Sequence, residues 1–433
     1  MSLSLSTSAW YGDRPLELPF PRHWDITTWW PATPAPLTDD QIAAALERPV
    51  GQRPIRELAS AASRPAVIVD DLTRPTPVAR IFPHLLRQLA DAGVPAEAVS
   101  VVVATGSHAP TSPEGVRKKV GAAAAGCRLL VHDYTRDLVR VGRTSLGTPV
   151  FANRVVVGAD LVIGIGGIYP QHSAGFGGGS KLALGILGKR SIVALHYRHQ
   201  SVQGSYDIHN DMRRDLDEIA RMVGLRTSVS LQVDARREPV RIATGDHEQY
   251  FEREVAFALR AFRAPAAVGA DLVVSNAYPI DVSLTFMRSK GVTPLLRARP
   301  GASRVLVAAC SEGAGHHGLF PFVGAPRRQR PLHLARTVAA RPGTVPARVA
   351  GRLRAALDRP RAGAAAPARP IWLYVPGPAA AGLPAAIPGM TLLASWPEVL
   401  ARVAAEQGHR PDLEVAVYPC APLQVLRPPG PAT

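Results

Sequence analysis

Four largely apolar runs, Ala66–Val69, Val99–Ala104, Leu129–His132 and Asp160–Ile165, constrain the fold of this chain most strongly. Such runs read as strands buried on both faces. Between the first two, Pro77–Ala92 carries a helical pattern that stops at Gly93, with Pro95 beyond it. Strand, helix and strand in that order make a right-handed crossover unit. Asp207–Val223 repeats the amphipathic helical pattern up to Gly224, and Ser228–Val233 follows as a strand. A second cycle opens near Glu254 with a helical pattern running to about Ala264. It continues through a strand at Asp271–Ser275, a helix over Ser283–Ala298 and strands at Arg304–Ala309, Ile371–Val375 and Val415–Tyr418. The alternation predicts an α/β chain of two doubly wound domains with the active site in the cleft between them. The expected division is residues 1–262 and 263–433, with a joint near Arg253–Ala266 and an Arg/Ala/Pro-rich insertion at about 324–370 in the second domain.

With 46% hydrophobic residues in 433, the chain is long enough to bury two cores. No run reaches the eighteen or so apolar residues of a membrane span, and the N-terminal segment lacks the basic start and apolar stretch of a signal peptide. Cys127, Cys310 and Cys420 stand far apart, which suits a reducing cytoplasm and argues against a cysteine-built metal site. The net charge of +16 is concentrated: residues 324–370 hold eleven arginines against one acid, Asp358, and no aromatic side chain to stack on a base. That segment reads as a solvated insertion rather than a nucleic-acid surface. Against 45 arginines there are only five lysines: Lys118, Lys119, Lys181, Lys189 and Lys290. Where arginine supplies the generic positive charge, a retained lysine marks a need for a primary amine, because a guanidinium is not a nucleophile.

Four motifs fall at strand ends. Asp70-Asp71-Leu72-Thr73-Arg74-Pro75-Thr76-Pro77 places an arginine and two hydroxyls at a helix start, where free backbone N–H groups favour an anion. Capping by Thr73 or Thr76 with proline at the first helical position accounts for part of the same run. Thr105-Gly106-Ser107-His108 sets an imidazole at the next strand end, able to move protons near neutral pH. The third, from Gly164 to Lys181, ends in Ala-Gly-Phe-Gly177-Gly178-Gly179-Ser180-Lys181, a loop whose backbone approaches a ligand closely yet lacks the P-loop spacing. Downstream of it, His196 and His199 are candidate imidazole ligands for a borderline metal such as nickel. The fourth is Ser275-Asn-Ala-Tyr-Pro-Ile-Asp281 with Lys290 beyond, a cation placed to hold a substrate carboxylate or else a solvent-facing lysine.

Together, in this order, these segments and the Glu312-Gly-Ala-Gly315 turn resemble the lactate racemase family of nickel-pincer-nucleotide enzymes, over about Val67 to Val417. The resemblance implies a cytoplasmic isomerase, a racemase or epimerase of a 2-hydroxy acid, loaded by cofactor-biosynthesis enzymes. It would use a nickel pincer nucleotide of the pyridinium-3,5-bisthiocarboxylate mononucleotide type and proton-coupled hydride transfer. Lys181 matches the lysine that holds the cofactor covalently and His196 the nickel ligand, with one residue, a proline before Gly185, missing between them. Asp71, Thr73, Arg74 and the loop Gly177–Ser180 are expected on the cofactor or substrate. His108 matches the first catalytic histidine. The second position holds Gln171, with His172 next to it, so either His172 serves or exchange is one-sided. A nucleotide-binding homologue without turnover is the non-catalytic alternative. Ala109 and Met287 replace polar residues of the family, which points to a substrate other than lactate with a larger or apolar group.

Overall fold

The computed structural model describes residues 1–61, 64–199, 206–319 and 369–426. The arginine-rich segment lies outside the described residues except for Arg369 and Pro370.

The first apolar runs form one six-stranded sheet. Across it the order is Pro239–Gly245, Leu225–Val233, Leu161–Gly167, Pro65–Asp70, Ser100–Ala104 and Arg128–Val131. All neighbours are parallel except the first pair. Alternate residues feed opposite faces, as the two-residue period of a strand requires. Val67, Val69, Val101 and Val103 pack on Phe82, Leu85 and Leu89, while Ile68 and Val102 pack with Ile192, Leu216 and Ile219. The strands run in chain order outward from Pro65–Asp70 on one side, and the later ones lie on its other side. The reversal opens a crevice between the carboxyl ends of Pro65–Asp70 and Leu161–Gly167, where doubly wound sheets bind ligands.

The second sheet is wholly parallel, in the order Met390–Leu393, Ile371–Tyr374, Ser303–Val307, Leu272–Asn276, Glu414–Tyr418 and Asp25–Thr28. Its edge strand comes from the start of the chain. A hairpin of Ser2–Thr7 and Arg14–Pro19 precedes that strand, and Leu5, Leu18 and Phe20 pack with Trp396, Val399 and Val403 against the second sheet.

Differences from the expected elements have local causes. The helix predicted over Asp207–Val223 is Asp211–Met222: the Asn210 side chain accepts from Arg213 N at 2.9 Å and sets the start, and Asp207 turns back to accept from His209 N. The helix predicted from Glu254 begins earlier, at His247, capped by Asp246. Ser283–Ala298 is two helices, Leu284–Lys290 and Thr293–Leu296, broken at Gly291. A Cβ there would lie 2.9 Å from Leu306 and 3.0 Å from Ala277, and Ser275 Oγ donates to its carbonyl. The glycine lets the helix end lie close to the sheet, and Pro294, with no N–H to give to Lys290 O, prevents the two helices from joining. Among the described residues, no helix is long and apolar enough to cross a membrane.

Candidate active site

A cavity of about 340 Å³ occupies the crevice of the first sheet. Strand ends supply Asp70, Asp71, Arg74, Thr105 to His108, Gly167 and Tyr169; the second half closes it with Thr285, Phe286, Lys290 and His317. Of the residues expected from sequence, it brings together His108, Gln171, His172, Lys290, Lys181, Asp71, Arg74, Gly178 and His196.

His108 is oriented by a carboxylate. Its Nδ1 lies 2.6 Å from Asp71 Oδ2, and the other Asp71 oxygen accepts from Thr73 N at 3.0 Å and from the Thr73 hydroxyl. With Nδ1 donating, the lone pair is on Nε2. Burial opposes the Asp71 charge, but His108, Arg74 and Thr73 outweigh it and hold the carboxyl below its usual range. Burial lowers His108, against the pull of Asp71, so the ring is a neutral base near pH 7. Asp71 and Thr73, expected on a cofactor, are thus engaged with the imidazole and with each other, and Thr73 does not line the cavity.

Lys181 starts the short helix Lys181–Leu184 at the end of the glycine loop. Gly178 and Gly179 hold positive φ of 78° and 56°, and a Cβ on Gly177 would meet the Tyr169 ring at 2.8 Å. Behind the loop, the buried Arg213 guanidinium donates to the carbonyls of Ala174, Phe176 and Gly178 and to Ser180 Oγ, and stacks 4.2 Å from the Phe251 centroid. Gly177, Gly179 and Ser180 therefore shape the loop, while Gly178 alone of the four faces the cavity. Burial, with Arg74 and Arg213 nearby, lowers the Lys181 ammonium to about 7, so a large fraction is free amine at neutral pH.

His196 comes from the helix Lys189–Arg198. Its Nδ1–H donates to Ile192 O at 2.8 Å, which puts the lone pair on Nε2, the arrangement typical of a metal-binding imidazole. Burial lowers it to about 4. His199, the other candidate, is not at the cavity: its Nε2 lies 2.7 Å from the buried Asp215, which also accepts from Thr148.

Two basic side chains, Arg74 and Lys290, converge on the space beside the half-neutral Lys181. Arg74 lies 5.9 Å from the Tyr169 centroid and 5.8 Å from that of Phe286. Lys290 donates to Pro170 O at 3.1 Å, and burial beside Arg74 and Lys181 holds its ammonium well below its ordinary value. Asp70 is neutralised separately by Lys119 at 2.5 Å and Thr76 at 2.6 Å. The balance favours an anion.

Gln171 is bound to its own turn. Its Oε1 accepts from Ser173 N at 2.9 Å and Ala174 N at 2.8 Å, while Nε2 donates to Ser173 Oγ. His172 lines the cavity beside it. Ala109 is exposed and Met287 is buried in the second core, and neither touches the cavity, so the substrate inference drawn from them loses its geometric basis. Sequence reasoning missed His317, Tyr169, Phe286, Lys119 and Arg213. Lysine scarcity flags Lys119, and the Gly-His316-His317-Gly run after a strand was a usable signal. Among 45 arginines nothing marks Arg213.

A doubly wound sheet whose crevice holds a half-neutral amine, an oriented base, a lone-pair imidazole and a buried guanidinium defines a class: α/β proteins with a polar, basic pocket at the strand ends. Within that class the comparisons point to lactate racemases. Residues 11–206 match the lactate racemase N-terminal domain. The lactate racemase of Lactiplantibacillus plantarum is 28% identical over 292 residues, covering 65% of this chain and 68% of that protein. That of Thermoanaerobacterium thermosaccharolyticum is 27% identical over 293 residues with the same coverage. The fold extends across the chain: the lactate racemase apoprotein structure from the latter organism superposes with a TM-score of 0.69 at 20% identity, covering 99% of this chain and 100% of that one. The chain thus carries a match to the lactate racemase N-terminal domain, is similar in sequence to two lactate racemases and shares its fold with one.

Proposed function

We propose that this chain is a racemase or epimerase of a 2-hydroxy acid that works with a nickel pincer nucleotide held covalently on Lys181. The observation that carries the reading is one cavity holding three groups: the depressed Lys181 amine, the Nε2 lone pair of His196, and His108 locked by Asp71. The residues fit the cofactor. The buried Lys181 amine and the His196 ring both line the cavity, and a single imidazole suffices for a metal that brings its other donors with it. Lys181 would hold the group, His196 would take the metal, and Gly178 and Arg74 would border the nucleotide.

When bound, the group supplies the acceptor and donor of the hydride at substrate C2. The protein supplies the rest. Arg74 and Lys290 hold the carboxylate from the two halves of the molecule, and His108 Nε2 takes the C2 hydroxyl proton and returns it. Asp71 keeps the imidazole in the required tautomer and steadies it when protonated. For the opposite face, His172 is the imidazole beside the cavity, whereas Gln171 serves its turn and exchanges no proton. The latter arrangement also supports a second reading, one-sided exchange at C2. We retain a division near residues 262/263 as part of the proposal, with the one change that the strands Ser2–Thr7, Arg14–Pro19 and Asp25–Thr28 go with the second half, on whose sheet they pack.

Co-expression with cofactor-making enzymes should add a covalent mass to Lys181 and one nickel per chain; an unmodified Lys181 under those conditions sinks the reading. Deuterium wash-in at C2, followed together with optical rotation, separates inversion from one-sided exchange.

A further inference from the structure

His317 belongs to no motif discussed above, yet it closes the cavity from the second half. Its tautomer is set by backbone. Leu319 N donates to its Nδ1 at 3.2 Å, and Ser107 Oγ lies 3.4 Å from the same nitrogen. A backbone N–H can only donate, so Nδ1 bears the lone pair and the neutral ring carries its proton on Nε2. The ring stands 5.2 Å from that of His108, tilted by 58°, and both pack on Phe286. Backbone contacts pin the two together: Gly318 N donates to Ser107 O at 2.6 Å, and residues 108 and 317 form a bridge.

We propose that His317 contacts the C2 oxygen of the substrate, donating a hydrogen bond from Nε2–H to the atom whose proton His108 carries. This deepens the reading of the cavity as a 2-hydroxy acid site and rests on it. As C2 passes between alcohol and ketone, its oxygen gains negative charge once His108 has taken the proton. A fixed donor aimed there stabilises that charge more than the ground state. A neutral imidazole suits the task, because a second charged ring beside His108 would lower the basicity His108 needs. The surroundings keep it neutral: burial, His108, His196 and Arg74 all oppose its protonation. The two histidines thus divide the work, one moving the proton and the other holding the oxygen.

Two variants and one spectrum test this. His317→Phe keeps a ring without a donor, and His317→Gln keeps a donor without a ring. In loaded enzyme, His317→Phe should lower kcat by about 10²–10³ with little change in KM, and His317→Gln should recover most of the loss. Equal rates for wild type and His317→Phe overturn the proposal. Independently, in protein without cofactor and labelled with ¹⁵N-histidine, the Nε2–H resonance of His317 should move when pyruvate is added. A resonance indifferent to pyruvate overturns it, whether or not the variants fold. If the wild type turns over no 2-hydroxy acid while that resonance still responds, the catalytic reading fails and the contact stands.

Discussion

Both sheets reverse their strand order once, and the two reversals hold different things. In the first, between Pro65–Asp70 and Leu161–Gly167, the crevice is a cavity of about 340 Å³ lined by chemistry. In the second, between Leu272–Asn276 and Glu414–Tyr418, the same crevice is packed with polypeptide. Asn276 donates to Ser6 O and Pro419 O, and the Asp281 carboxylate accepts from Ser8 N, Ala9 N, Ala309 N and the Thr7 hydroxyl. Both strand ends carry polar residues and a proline-containing turn, so by residue type they read alike. What distinguishes them is partnership. The Asp281 donors come from its own chain, mainly backbone, and leave nothing for a ligand. Asp71 instead accepts from an imidazole that lines the cavity.

The contrast yields a graded set of tests. Asp71→Asn should break the active crevice hardest: by the logic of a mis-set tautomer, kcat in loaded enzyme should fall by about 10³–10⁴ while the thermal midpoint stays near wild type. Asp281→Asn should do the reverse, costing about 3 kcal/mol by denaturant unfolding and leaving kcat per folded molecule intact. A loss of kcat in the second variant at full folding would erase the distinction. A pH experiment sharpens it further. The folded state lowers Lys181 to about 7 from an ordinary 10.5, so between those values the unfolded chain holds a proton that the folded one lacks. Stability is then penalised below pH 7 and regains that loss as pH rises toward 10.5. Melting curves of wild type minus Lys181→Met should show this slope, and identical pH dependence would refute it. The smallest effect is expected at Gln171→Ala, which removes a turn cap worth about 1 kcal/mol and should not alter the pH profile of turnover. A changed profile would mean that Gln171 touches the chemistry after all.

Much of this was legible in the chain before folding. Apolar runs marked the strands, and polar punctuation at their ends marked the crevice. Lysine scarcity picked out Lys181 and Lys290, which share the cavity, and Lys119, which neutralises Asp70 beneath it. Residues whose role depends on a distant partner stayed hidden. His317 meets Ser107 across 210 positions, and Arg213 reaches back to a loop more than thirty positions earlier. The family resemblance also carried three positions away from where the cavity lies. It put Thr73 on a ligand and left Ala109 and Met287 beside the substrate, because proximity in sequence to a functional residue does not fix which way a side chain turns.

The strand Asp25–Thr28, edge of the second sheet, has a consequence for biogenesis. It leaves the ribosome long before Glu414–Tyr418, which is its only partner strand among the described residues. At about 5–20 residues per second, that partner arrives on the order of a minute later. The first sheet needs nothing beyond Gly245 to close, so it can fold during translation with this early strand still waiting. During that interval an unpaired edge is on offer to any neighbouring chain on the polysome. Slower synthesis should lengthen that interval and with it the exposure of the unpaired strand.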